Sequence, residues 1–164
     1  MALNNCNLFE IRKSMSNYNF RSTMGCFLTG VTVVTTSSEG KLLGVTANSF
    51  SSVSLDPPLV LWSLSKASAK HSLMTKNKNY AINVLAKDQK EIALNFSGSR
   101  EPFLNIDYRL NNIGIPLLNN TVAIFECELH TVYDGGDHSI IIGLVTACNK
   151  SNLKPLKFFR GKFS

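Results

Sequence analysis

The chain has 164 residues, 44% of them hydrophobic and 17% charged, which excludes a disordered or fibrous protein and suffices for one core without disulfide or metal staples. Its formal net charge of +6 is local: residues 138–164 hold no acid and carry Lys150, Lys154, Lys157, Arg160 and Lys162, five of the six net charges, with no nucleic-acid-binding motif beside them. The longest apolar run, Ile140 to Cys148, is broken by Gly143 and Thr146 and falls far short of the roughly 20 residues of a spanning helix; the start of the chain lacks a secretory pattern, so the expectation is a cytoplasmic protein with neither nucleic acid nor membrane as partner.

Residues 1–16 read as a flexible N-terminal segment. Phe20, Met24 and Phe27, spaced i, i+4, i+7, predict one face of a short helix limited by Gly25 and Gly30. The β-branched run Val31 to Thr36 predicts a strand, Glu39-Gly40 a turn, and Leu42 to Asn48 the returning strand of a hairpin. After Asp56-Pro57-Pro58, where a ladder cannot continue, Leu59 to Leu64 predicts a third strand, its apolar run suggesting burial on both faces. Ala67 to Lys76 is rich in helix formers and Tyr80 to Leu85 is strand-like. Asp88 with Glu91 resembles a capping pair for a short helix carrying Ile92 and Phe96. Ser97 to Asn120, with Pro102, Gly114, Pro116 and many Asn, reads as an irregular excursion. Thr121 to Tyr133 and Ser139 to Cys148 predict an antiparallel pair across Asp134-Gly135-Gly136-Asp137-His138. Six main strands, no βαβ rhythm and no GxGxxG after a strand predict a mainly β protein, a largely antiparallel barrel with a few short peripheral helices.

Three clusters carry candidate chemistry. Gly44 to Ser54 gathers small and hydroxyl residues where a strand leaves the sheet; such clusters make ordinary turns or offer N–H groups and hydroxyls to a phosphate or polar ring edge. Ser63 to His71 ends the third strand and opens a helix, either as a Ser cap among solvated lysines or as an anion site. His138, at the head of a strand, can carry a proton or donate to a ligand; no nucleophile accompanies it in sequence, so a hydrolytic triad is not supported. His71 reads as a helix-surface residue and His130 as solvent-facing on a strand. Cys6, Cys26, Cys127 and Cys148 lack metal-ligand spacing and read as incidental thiols.

Three blocks in order, Phe27 to Thr36, Gly44 to Pro58 with Thr-Ala-Asn-Ser-Phe-Ser-Ser-Val-Ser-Leu-Asp-Pro-Pro inside it, and Gly136-Asp137-His138, followed by the closing Lys154-Pro-Leu-Lys-Phe-Phe-Arg-Gly161, resemble the flavin reductase family. The resemblance covers about residues 20–162 of what it makes a single 1–164 domain, and it implies the FMN-binding split-barrel fold. It implies that Thr46, Ala47, Asn48 and Ser49 run along a flavin ring and its ribityl chain, with Ser52 nearby. Ser63, Leu64, Ser68, Ala69 and Lys70 would help hold ring and phosphate, and Phe96 would stand beside the pocket. Gly136, Asp137 and His138 would serve nicotinamide binding and hydride transfer, His138 being the catalytic candidate, while Phe159 and Arg160 would close near the site.

The implied activity is hydride transfer from NADH or NADPH to FMN or FAD, with reduced flavin supplied to a separate monooxygenase, for which a chain of this length has no room. A flavin-binding protein or electron carrier of the same fold is the alternative. The resemblance also implies a homodimer, and the spacing of the cysteines indicates no metal site.

Overall fold

A computed structural model describes residues 17–164; the expected flexible segment 1–16, with Cys6, lies outside the described residues. Helix α1 (Asn17–Met24) leads into strands β1 (Thr29–Gly30), β2 (Thr32–Ser38), β3 (Lys41–Ala47), β4 (Ser51–Leu55) and β5 (Pro58–Ser65). Helix α2 (His71–Lys76), strand β6 (Asn79–Val84) and helix α3 (Lys90–Gly98) follow, then strands β7 (Tyr108–Leu110), β8 (Pro116–Leu118), β9 (Ala123–Gly135), β10 (His138–Lys150), β11 (Lys157–Phe159) and β12 (Lys162–Phe163). Seven strands form one antiparallel sheet in the order β3-β2-β6-β9-β10-β5-β4, so the mainly β, antiparallel expectation holds.

The sheet bends around its core. Val34 on β2, Tyr80 and Ile82 on β6, Cys127 on β9, Ile141 on β10 and Trp62 on β5 belong to one buried cluster, against which Leu43 and Val45 of the edge strand β3 also pack. A flat sheet could not bring β3 and β5, separated by four strands, onto one cluster. The bend is helped by β9 and β10, each 13 residues long and joined with register shifts at Ile142/Gly143 and Val145/Ala147; bulges of this kind add local twist.

A second cluster covers the outer face of β2. Val31 and Val33 pack there with Leu85, Leu118, Leu156, and Ala93 and Phe96 of α3. Successive residues of a strand point to opposite faces, so β2 buries Val33 and Val34 in different clusters and Thr32 to Thr36 are all buried. Strand β2 is therefore hidden on both faces, and so is β6, whose Tyr80 to Asn83 are all buried. In β5, expected to be so, burial alternates: Val60, Trp62 and Leu64 are inside, while Leu59, Leu61 and Ser63 are only half-buried.

Polar groups fix the outer layer. Buried Asn83 donates from Nδ2 to the Val33 carbonyl and to Thr35 Oγ1, both at 3.0 Å, and its Oδ1 accepts the Leu118 N–H at 2.9 Å. Thr35 Oγ1 donates to the Pro116 carbonyl at 2.6 Å. These bonds hold β8 against the sheet, and the excursion 97–120 thus contains the β7–β8 hairpin that its Pro and Asn content concealed. Strand β4, unmarked in the mixed sequence Ser-Ser-Val-Ser-Leu, forms by pairing with β5 across the Asp56-Pro57 turn. The capping pair expected at Asp88 and Glu91 is not made. α3 starts after Gln89, whose Oε1 accepts the Ala86 N–H at 2.9 Å and whose Nε2 donates to the Asn119 carbonyl at 2.8 Å.

Candidate active site

One cavity of about 600 Å³ gathers most of the predicted site residues, a size within the roughly 300–1,000 Å³ of small-molecule sites. Thr46, Ala47, Asn48 and Ser49 line it from the end of β3, Ser63 and Leu64 from β5, Ser68, Ala69 and Lys70 from the loop into α2, Phe96 from α3 and His138 from the head of β10. Val45, Ser65, Ala67 and Ser97 to Ser99 complete the wall. The last three sit at the end of α3, at the start of the excursion in which sequence reasoning found no usable pattern; only the adjacency to Phe96 could have pointed to them.

The wall is built largely from hydrogen bonds of its own. Thr46 Oγ1 donates to the Ala93 carbonyl at 2.6 Å and so ties β3 to α3. Ser49 Oγ accepts the Ser63 N–H at 2.8 Å and donates to the Ser63 carbonyl at 3.3 Å, closing β3's exit onto β5. Thr32 Oγ1 donates to the Ala47 carbonyl at 2.7 Å. Ser65 Oγ and Ser68 Oγ accept N–H groups of their own turn, from Ala67 and Lys70, both at 3.3 Å. The turn-making reading of these hydroxyls is thus realised, and it coexists with their place on the cavity wall.

Phe96 reaches the cavity because residue 44 has no side chain. A Cβ on Gly44 would stand 2.6 Å from Phe96 Cδ1, inside any tolerable carbon–carbon contact, so the ring packs directly against the bare backbone of β3. Beside it, Lys70 Nζ donates to the Gly44 carbonyl at 2.7 Å. An ammonium carries three donors, so two remain for a ligand. Partial burial pushes the Lys70 ammonium below the ordinary lysine range. The helix that follows is only six residues long and receives no side-chain cap; the cation, more than a helix end, makes this corner attractive to an anion.

Ahead of β10, the β9–β10 turn places Gly136 at a φ of 80°, a left-handed conformation that suits glycine. His138 faces Ser65 in the β5–β10 register. Its Nδ1 lies 2.8 Å from Asp137 Oδ1, so Nδ1 carries the proton toward the carboxylate and Nε2 is left for a ligand. This bond holds the Asp137 carboxyl below the usual carboxylate range. Asp134 is lowered too, first by the hydrogen bond from Lys66 Nζ at 2.9 Å and then by the Gly136 N–H at 2.9 Å.

Five predicted residues lie outside this wall. Gly136 and Asp137 are exposed in the turn and reach the cavity only through His138. Ser52 is exposed on β4. Phe159 and Arg160 sit at the β11–β12 turn, where the Arg160 guanidinium stacks 5.1 Å from the Phe159 ring and the Arg160 N–H donates to the Gly25 carbonyl at 2.8 Å. The tail thus packs toward α1 and not over the cavity: sequence order cannot tell which edge a terminal strand joins, and β11 pairs with β1. His71, read as a surface residue, has its Nε2 2.9 Å from the hydroxyl of buried Ser139. His130 is exposed, as expected. Among the described residues no group of His, Cys, Asp or Glu could hold a metal, and no helix is long and apolar enough to cross a membrane.

A family model described as the flavin reductase like domain matches residues 24–164. The FMN reductase (NADH) SmoA of Agrobacterium fabrum is 42% identical over 145 residues, covering 88% of this chain and 83% of its own length. The reductase subunit HsaB of a flavin-dependent monooxygenase from Rhodococcus jostii is 37% identical over 148 residues, covering 88% of this chain and 75% of its own. The solved structure of the Streptomyces globisporus NADH:FAD oxidoreductase SgcE6, in complex with NAD and FAD fragments, superposes with a TM-score of 0.87 at 38% identity, covering 91% of this chain and 92% of that one. Other relatives are longer, and of one from Rhizobium meliloti the chain spans 47%.

Proposed function

The chain belongs to the flavin reductase family, and from that premise we propose that it transfers hydride from NADH or NADPH to FMN or FAD and supplies reduced flavin to a separate monooxygenase. The observation that carries this reading is the cavity itself, which brings together a hydroxyl-lined wall, a partly free ammonium at Lys70 and the imidazole of His138. The donor set fits a flavin: backbone N–H groups at Ala47 to Ser49 suit the polar edge of the ring, and Lys70 with Ser68 suits a phosphate. When bound, the flavin supplies the hydride-accepting ring. The chain's own part is to hold two planar partners in register, to exclude water with Phe96 and Leu64, and to present His138 Nε2 to the nicotinamide or to a proton. This division of labour needs no nucleophile.

Anaerobic titration of the purified protein with NADH or NADPH in the presence of FMN tests the reading: flavin absorbance is expected to fall stoichiometrically. Flavin binding without that loss would favour the electron-carrier alternative. Replacing Lys70 by methionine is expected to weaken FMN binding by about tenfold, the worth of one charge-assisted hydrogen bond, while turnover at saturating flavin changes little; a fluorescence titration and a saturation curve separate the two.

We also propose that the seven-stranded sheet is the split barrel of this family, that residues 1–164 form one domain acting in the cytoplasm, and that the protein is a homodimer. In support of the last, Phe20, Met24, Phe27 and Leu28 are each at least half exposed, and clustered exposed apolar side chains mark interaction surfaces. They line a groove of about 980 Å³ that shares Asn48 and Ser49 with the cavity, so a second chain seated there would border the site. Light scattering is expected to give twice the chain mass, and Phe27→Asp to halve it; a wild-type protein that stays monomeric at working concentrations would exclude the dimer.

A further inference from the structure

We propose that His71 is a positioning residue that locks the Ser68–Lys70 loop to the strand bearing His138, so that Lys70 and His138 keep a fixed relation. The inference rests on the flavin reductase reading above and concerns a residue that the reading does not use.

His71 touches both the loop and the strand. Its backbone N–H donates to the Ser68 carbonyl at 2.9 Å, and it directly follows Lys70 at the start of α2. Its ring crosses to β10, where Nε2 lies 2.9 Å from Ser139 Oγ. Ser139 is 6% exposed and follows His138, so a hydroxyl deprived of His71 would be left buried and unpaired. Residues 138 and 139 point to opposite faces of the strand. The β5–β10 and β9–β10 ladders set the rotation of β10 at both residues, so His138 keeps its direction facing Ser65, and the His71–Ser139 bond ties the loop before α2 to that fixed strand. A nearby side-chain link, from Lys66 ahead of the loop to Asp134 on β9, is 40% and 78% exposed, and pairs so open to water hold little. The sheltered imidazole–hydroxyl bond is the stiffer of the two.

The test is a double-mutant cycle in the full chain, His71→Ala against Ser139→Ala, with His71→Gln as the conservative variant. NADH turnover at saturating NADH and FMN, FMN affinity and thermal midpoint are read separately. His71→Ala is expected to lower kcat by about fivefold, the worth of one buried neutral hydrogen bond, and the double variant to be no worse than the worse single one, because both remove the same bond. His71→Gln, whose amide can reach the hydroxyl, is expected to recover kcat to within about twofold of wild type. A merely structural histidine would lower the thermal midpoint and leave the kcat of the folded enzyme unchanged; that result, or single losses that multiply in the double variant, overturns the proposal. A wild-type chain that binds FMN without oxidising NADH overturns the reductase reading instead, and the cycle is then judged on FMN affinity. A chain that binds no flavin overturns both.

Discussion

Replacing His138 by alanine is expected to slow NADH oxidation by about a hundredfold, the lower end of what a positioned acid–base or donor group supplies, while FMN affinity shifts by no more than about threefold. The lower end applies because the hydride chemistry belongs to the nicotinamide and the flavin. The asymmetry between the two readouts follows from position. His138 enters the cavity from the β9–β10 turn, with Nδ1 committed to Asp137 and Nε2 free. The residues assigned to the flavin, Ala47 to Ser49 and Lys70, come from β3 and the loop into α2. Stopped-flow oxidation of NADH at saturating FMN, set against an independent flavin titration, reads the two effects apart. Equal losses in both would move His138 from the nicotinamide to flavin binding.

The second large effect lies in the core. Gly143→Ala is expected to destabilise the fold by about 3 kcal/mol, the upper part of the usual range for overpacking, and to lower the thermal midpoint by roughly 6–12 °C at the scale for a chain of this size. A Cβ at residue 143 would run into the Tyr80 hydroxyl, stand 2.9 Å from Tyr80 Cζ and 3.2 Å from Cys127 Cβ. Tyr80 cannot swing away: it is 2% exposed and its ring meets that of Trp62 edge-on, centroids 6.0 Å apart. Burial also pushes its phenol pKa up and the neighbouring Cys127 thiol up to about 12, so both stay neutral and packed. The Tyr80 hydroxyl has no hydrogen-bond partner among the described residues. Tyr80→Phe should therefore be tolerated alone and should restore part of the stability of Gly143→Ala. Additive losses in that pair, measured by denaturant unfolding, would show that the backbone and not the phenol sets the limit.

Most of the sheet is legible in the sequence because its strands carry strong local signals: the β-branched run of β2, the Pro-bounded start of β5, and the two long runs flanking Gly135-Gly136. Strand β4 and the β7–β8 hairpin are not, since the alternation in Ser51 to Leu55 spans only two apolar residues and Pro116 discourages a strand; β4 exists because β5 returns beside it across the Asp56-Pro57 turn, and the hairpin because the Asn83–Thr35 network offers it partners from far along the chain. The site shows the same division. The residues of β3 and of the loop into α2 share short segments and are readable together, and the family resemblance brought His138 to them. That Thr46 and Ser49 are already bonded within the protein, and that His71 crosses to Ser139, depend on pairings 14 to 68 residues apart. No local pattern records such distances.

The bonds that close Thr46 onto Ala93 and Ser49 onto Ser63 bear on how the cavity fills and empties. Because these oxygens are satisfied before any guest arrives, departure of a guest strands none of them, and the wall keeps its shape between visits. A vestibule of this kind suits molecules that come and go in every round, for neither admission nor release requires the protein to rebuild its own lining.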